Sequence, residues 1–381
     1  MVSLPDLETI PTPALLLDEG VLHANIEAMA ALAAETGVAL RPHAKTHKSL
    51  AIAGLQRTHG AEGLTVATVH EAECFATAGF DDILLTAPAI GKWRTERIVD
   101  LAAIARIRVS LDSLDAVRAL DDACRRKGVH IGYVWEVDCG VGRFGTRPGK
   151  ATVDAITQAI DAARHASFDG LLAFGGHAYA AVDDAGIVAA ARDERAAVIE
   201  TAELLRARGI DAGVMTVGTT PTCHRMGSNE GITEIRPGNY VFYDATQVAM
   251  GIVGVDQCAV SVLATVVSRP AADRVILDAG SKALAAERQS PRTDGFGLVL
   301  GHPELLVERL YEEQAIVVTT DACDLSVGDR VQVVPNHSCA TVNLHEELLV
   351  VEDGTVVDVW PVDARGWRAR PAVETRIGAG S

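Results

Sequence analysis

Basic residues are scarce in this chain: 34 lysines and arginines face 51 aspartates and glutamates, a formal net charge of −17 over 381 residues. That balance argues against nucleic acid and against anionic membrane surfaces as partners. No apolar run approaches the roughly 20 residues a membrane helix needs. The first twenty residues lack a basic stretch followed by an apolar core, so no signal peptide is expected. Seven cysteines are scattered, odd in number and without framework spacing, which fits a reduced, cytoplasmic protein. A glycine-rich dinucleotide fingerprint after the first strand is also missing. What the chain does have is apolar content, 48%, enough for a full core and against disorder.

Along residues 16–250, helix-like and strand-like segments alternate. Strands are predicted at Val38–Lys45, Gly63–Thr68, Ile83–Ala87, Ile107–Asp112, His130–Asp138, Gly170–His177, Val214–Thr219 and Tyr240–Tyr243. The clearest helices are Val21–Gly37, His70–Ala78, Arg94–Ala105, Ser113–Arg126, Ala151–His165 and Gly186–Arg208. Thr220–Arg236 reads as a polar link rich in turn residues. Eight such units point to an α/β fold, a (β/α)8 barrel, over an open doubly wound sheet. From 251 to 381 short β-rich runs take over, separated by turns, and an all-β domain is expected there. Residues 1–15, with Pro11 and Pro13, read as an extended lead-in packed on it.

The densest chemistry lies in Arg41-Pro42-His43-Ala44-Lys45-Thr46-His47-Lys48-Ser49. Lys45 ends the first strand, where barrels place their sites. Arg41, His43, His47 and Lys48 surround it. Like charge and burial would disfavour its ammonium form and make it competent to form an imine with a carbonyl. A basic surface loop or anion site is the plainer reading. Other strand ends add Arg143 in a glycine loop, which suits a cofactor ring, a carboxylate or a surface ion pair. His177 and Tyr179 suit stacking or ordinary packing. Gly218, Thr219 and Thr220 suit a phosphate cradle or a capped turn. In the β-rich part, His337 and Cys339 stand two apart in Pro335-Asn336-His337-Ser338-Cys339. On extended backbone they face the same way, and imidazole with thiolate suits zinc, with two positions left open.

Taken together, Pro42–Lys48, Asp278–Leu284 and Pro335–Leu344 resemble the motifs of one family. It is the fold-type III pyridoxal-phosphate enzymes that include D-threonine aldolase and eukaryotic-type D-serine dehydratase. The resemblance implies an alanine-racemase-like barrel, a β-domain carrying the metal motif, and a homodimer with sites at its interface. It implies pyridoxal 5'-phosphate on Lys45, and Arg143 beside the ring nitrogen. It gives Gly218, Thr219, Thr220 and Tyr240 to the phosphate, and His177 and Tyr179 to the ring. Within the family, His-x-Asp goes with aldolases using manganese or a similar hard ion such as magnesium. His-x-Cys goes with dehydratases of D-serine, D-threonine or 3-hydroxyaspartate type and with zinc. Cys339 therefore favours dehydration. Retro-aldol cleavage to glycine and an aldehyde is the alternative, and a non-catalytic pyridoxal-phosphate carrier a further one.

Overall fold

The computed structural model describes residues 6–86, 88, 90–320 and 323–366. Ala87, the predicted end of the third strand, and the ends of the chain lie outside them.

Eight strands form one parallel sheet: β2 (Ala39–Leu40), β3 (Leu64–Val66), β4 (Asp82–Leu85), β5 (Arg106–Leu111), β6 (Ile131–Glu136), β7 (Ala166–Leu172), β8 (Val214–Val217) and β9 (Glu234–Ile235). Their order is β2-β9-β8-β7-β6-β5-β4-β3. The two end strands meet beyond β2, where His43 bridges Thr65 in parallel fashion. There the Thr65 N–H donates to the Pro42 carbonyl and the Ala44 N–H to that of Thr65, both at 2.8 Å. The junction lies immediately before Lys45.

Local chemistry sets the connecting helices. Asp18 caps α1 (Glu19–Thr36) by accepting from the Val21 N–H, and Gly37 ends it in the left-handed region at φ 68°. Thr68, Ser113 and Asp183 cap α2 (Val69–Thr77), α3 (Leu114–Lys127) and α4 (Asp184–Arg206) in the same way. The last turn of α3 carries Arg125, Arg126 and Lys127, which complement its negative end.

The eighth strand differs from its prediction. Tyr240–Tyr243 begins in a short 3-10 turn, Asn239–Val241, and the strand is Glu234–Ile235. Glu234 looks too polar for a buried strand, but its carboxylate accepts from Arg41 Nε at 2.5 Å. Tyr240 is apolar for a different reason: it is fully buried core.

The second sheet has nine strands, mostly antiparallel. Most follow residue 259. One does not: β1 (Ala14–Asp18) runs antiparallel to β10 (Val260–Ala271) and parallel to the strand Glu347–Glu352. The extended lead-in is thus partly a strand of this sheet. Leu306–Leu310, unpredicted, is another.

Arg41 is the polar pin inside the parallel sheet. Its side chain, 4% exposed, bonds Glu234 and both carboxylate oxygens of Asp82. Removing one member of a buried ionic group costs about 3–5 kcal/mol, because its partners stay buried without it. Arg41→Leu is expected to lose that much in urea unfolding, and the double variant Arg41→Leu/Glu234→Leu to recover part of it.

Candidate functional site

A cavity of about 810 Å³ opens at the C-terminal ends of the parallel strands. Lys45 is in its wall, and so are His337 and Cys339 from the β-rich part of the same chain. The two motifs touch. Cys339 Sγ lies 3.3 Å from the hydroxyl of Thr46, next to Lys45, within hydrogen-bonding distance.

The ammonium of Lys45 lies 5.7 Å over the Phe174 ring. Burial pushes its pKa down; Cys339 and Glu71 oppose this, and Arg143 and Arg236 reinforce it. Arg143 stacks on the same Phe174 ring at 4.7 Å and on Phe144 at 4.9 Å. Its loop is held by the Asp138 carboxylate, which accepts from the N–H groups of Gly140 and Gly142. Gly145 closes that loop at φ +92°, where an added Cβ would sit 2.8 Å from the Asp138 nitrogen.

Gly218, Thr219 and Thr220 line the cavity. Thr219 and Thr222 form a reciprocal capping box, so the capped turn is real as well. Beneath it lies Glu194, wholly buried. Its carboxylate accepts from the N–H groups of Gly175 and Gly218 and from the Thr222 hydroxyl, at 2.7–2.8 Å. Burial raises the Glu194 pKa, and these bonds hold it down. One side chain thereby ties two strand ends together.

Tyr179 lines the cavity, and its hydroxyl accepts from Gln247 at 3.4 Å. His177 and Tyr240 are not in the lining. The His177 ring packs by Gly140, and its Nε2 is 4.0 Å from Asp193. The Tyr240 hydroxyl accepts from Gln56 at 3.0 Å, and its N–H donates to the Thr220 hydroxyl.

Sequence reasoning passed over several lining residues. Arg236 is 3% exposed and locked by Thr216 Oγ1 at 2.8 Å and the Ala173 carbonyl at 2.6 Å. Glu71 is another: buried, it pairs at 3.2 Å with Lys48, which stands at φ +51°. Gly238, Asn239, Glu287 and Gln289 also line the cavity. Arg236 was hidden by the misplaced eighth strand. Its signal was the Arg-Pro-Gly turn after a short polar run.

The metal pair also differs locally from expectation. His337 is the N-cap of a helical turn, Ser338–Val342, and the backbone does not stay extended. The pair still lies together in the cavity wall, close enough for each group to shift the other's titration. Burial alone would lower the His337 pKa; Cys339 and Glu287 raise it to about 10. Cys339 is held below the usual thiol range despite burial, chiefly by His337. An imidazole and a thiol that favour each other's charged forms are donors of the kind that suits a soft divalent ion. Asp244 anchors the turn, accepting from Asn239 Nδ2 at 2.6 Å and the Ser338 N–H at 3.1 Å.

The cavity suits pyridoxal phosphate. It pairs an amine with two arginines and a glycine-hydroxyl turn. His43 Nδ1 and Asn239 Oδ1 are buried in its wall without a hydrogen-bond partner. A Cβ on Gly238 would fall 2.7 Å from Thr46 Oγ1.

Comparison with known proteins gives the class first. Residues 17–246 match the alanine racemase N-terminal domain, and residues 259–351 a putative serine dehydratase domain. The chain is 35% identical to a D-threonine aldolase of Arthrobacter sp over 95% of its length and 94% of that protein's. It is 33% identical to the D-threo-3-hydroxyaspartate dehydratase of Delftia sp. over 88% and 92%. A solved structure of that dehydratase type, a cysteine-to-alanine mutant in the metal-free form, superposes with TM-score 0.88 at 30% identity, covering 95% of this chain and 100% of that one. The chain belongs to the fold-type III pyridoxal-phosphate lyase family of D-threonine aldolases and D-serine dehydratases. Among the described residues no helix is long and apolar enough to cross a membrane.

The charge pattern around Lys45 predicts a signed pH effect. Free lysine titrates near about 10.4, and reductive trapping of a small aldehyde at Lys45 should follow a lower midpoint. Arg143→Gln should move that midpoint up, and Glu71→Gln should move it down. An unmoved midpoint in both variants contradicts the electrostatic account.

Proposed function

We propose that this chain is a pyridoxal-phosphate- and divalent-metal-dependent lyase that dehydrates D-β-hydroxy amino acids to a 2-keto acid and ammonia. The observation that supports the reading is the 3.3 Å contact between Cys339 and Thr46, because it brings the candidate metal pair next to Lys45. Pyridoxal phosphate supplies an electron sink for charge at the substrate Cα. A divalent ion supplies Lewis acidity toward the β-oxygen.

The chain's own groups do the rest. Burial, with Arg143 and Arg236, pushes Lys45 Nζ toward its neutral form, the form that accepts the Cα proton. Gly218, Thr219 and Thr220, with Gly238 and Asn239, hold the phosphate end. Arg236 is fixed by two hydrogen bonds and suits the ring nitrogen better than Arg143. An arginine there holds its proton and leaves that nitrogen unprotonated. Arg143 then faces the substrate carboxylate. Tyr179 lines the ring; His177 and Tyr240 support the walls. The thiolate favours zinc over manganese or magnesium.

In the same reading, the His43–Thr65 bridge closes the eight strands into a (β/α)8 barrel over 16–250. The described residues from 251 onward form the β-rich domain, with Ala14–Asp18 as one of its strands. The enzyme works as a cytoplasmic homodimer with sites near the interface.

Retro-aldol cleavage uses the same groups and stays the second reading, favoured by the 35% identity to a D-threonine aldolase. A carrier without turnover is disfavoured by the metal pair. D-threonine separates them. Dehydration yields 2-oxobutyrate and ammonia; cleavage yields glycine and acetaldehyde. Recovery of glycine alone rejects the dehydratase reading. Lys45→Ala should in addition lose the visible absorption of the pyridoxal-phosphate-loaded protein. An unchanged spectrum would move the cofactor to another lysine.

A further inference from the structure

The glycine-hydroxyl turn spends most of its amides on the protein itself. The Gly218 N–H donates to Glu194 Oε1 at 2.8 Å. The Thr219 N–H donates to Thr222 Oγ1 at 2.8 Å, and the Thr222 N–H to Thr219 Oγ1 at 3.2 Å. The Cys223 N–H donates to the Thr219 carbonyl at 2.9 Å, and Pro221 has no N–H to give. A glycine-rich loop usually cradles phosphate with its backbone N–H groups. Here few of them are left for an anion in the cavity.

Hydroxyl protons remain. Thr219 and Thr220 both line the cavity. Thr220 Oγ1 accepts from the Tyr240 N–H at 3.1 Å, which leaves its own proton to donate. Thr219 depends on Thr222. The Thr222 hydroxyl proton has three acceptors in reach: Glu194 Oε2 at 2.8 Å, Thr219 Oγ1 at 2.9 Å and the Thr219 carbonyl at 3.3 Å. A carboxylate is the strongest acceptor of the three. Once Glu194 takes the Thr222 proton, the proton of Thr219 is left for an anion. Glu194 itself comes from the middle of α4 and is wholly buried.

We propose that Glu194 is a positioning residue for the cofactor's phosphate: it draws the Gly218 N–H and the Thr222 O–H inward, and so presents the hydroxyl protons of Thr219 and Thr220 to the phosphate oxygens.

The inference rests on the reading above that this turn holds the phosphate. A carboxylate so close to a phosphate site is a cost by charge alone, because like charges repel. Its three directed bonds explain why it is there. Each fixes one end of a loop or the direction of one hydroxyl, and Arg236 in the same wall helps to balance the charge. The turn has little slack to find another acceptor. Gly218 stands at φ +106°, and a Cβ added there would lie 2.8 Å from Cys223 Sγ. Without Glu194, the Gly218 N–H and the Thr222 O–H would lose their buried partner, and the turn would have to move to satisfy them.

Pyridoxal carries the same aldehyde as pyridoxal phosphate and lacks the phosphate, so the ratio of their affinities isolates the phosphate end. Both are titrated by visible absorbance into the full-length protein stripped of cofactor. Wild type should prefer pyridoxal phosphate by on the order of 100-fold or more, the worth of two hydrogen bonds to a charged group. Thr220→Val and Thr222→Val should each cut that preference about tenfold and leave pyridoxal affinity unmoved. Glu194→Leu should cut it at least as far. Glu194→Gln, whose amide oxygen still accepts both glycine N–H groups, should recover most of it. A preference within about twofold of wild type in Thr222→Val and Glu194→Leu overturns the positioning role. So does an equal fall in both affinities, which is what a merely structural residue would give. Should Glu194→Leu fail to fold, Thr222→Val decides alone. Wild type that binds the two aldehydes equally would instead bring down the assignment of the phosphate to this turn.

Discussion

An amine that must be neutral has to be kept out of water, and much of this structure follows from that requirement. Lys45 sits on Phe174 in a wall that also carries Arg143 and Arg236. Desolvation removes the solvent that stabilises its ammonium form, and the two arginines add repulsion. The same dryness makes the thiolate of Cys339 costly unless a cation faces it. His337 provides one in the absence of an ion. The amine and the thiol pull in opposite directions: charge on Cys339 would hold the proton on Lys45, and burial with the two arginines outweighs it. Thr46, between them in sequence and space, fixes their separation.

Buried charge recurs below the cavity, in a supporting part. Arg41 with Asp82 and Glu234 crosses the sheet where its end strands meet. Glu194 holds the ends of β7 and β8. Such groups contribute little net stability relative to packed apolar residues. What they add is registry. A carboxylate that accepts three directed bonds tolerates only one arrangement of the two loops, and those loops carry the glycine-hydroxyl turn. The Lys45 loop is gripped from the far side as well. The Lys48 carbonyl accepts from Ala364, and Asp363 accepts from the Leu50 N–H. Both come from the tail of the β-rich part, so the two halves set the site jointly.

Much of this was legible in the sequence because the two ends of the site are contiguous stretches. Residues 41–49 and 335–344 carry their chemistry locally, and alternation exposed the parallel strands. The misses share one cause: side chains whose environment is tertiary. Glu234 and Arg236 read as a polar link because their partners, Arg41 and Ala173, lie far away in sequence. Tyr240 read as strand because core residues in a 3-10 turn are as apolar as those in a sheet. The His337–Cys339 spacing pointed to a pair through a geometry that is not there. A helical turn that starts at Ser338, not a pleated strand, carries Cys339. Glu287 and Gln289 follow a left-handed alanine and belong to no periodic element, so no pattern could flag them.

Elimination and carbon–carbon cleavage differ in what the β-oxygen needs. Cleavage needs a base to take its proton; elimination needs an acid to help it leave. The polar atoms around Cys339 bear on that choice. Thr46 offers a hydroxyl, Gln289 an amide, and His337 a ring already engaged at both nitrogens. The nearby carboxylates are committed: Glu287 to His337, Glu71 to Lys48 and the Ala67 N–H, Asp244 to Asn239 and Ser338. A site whose carboxylates are all engaged while its cations line the cavity is better equipped to receive a departing oxygen than to strip a proton from it. In the proposed reading, the electrostatics lean the same way as the soft ligand, toward loss of water.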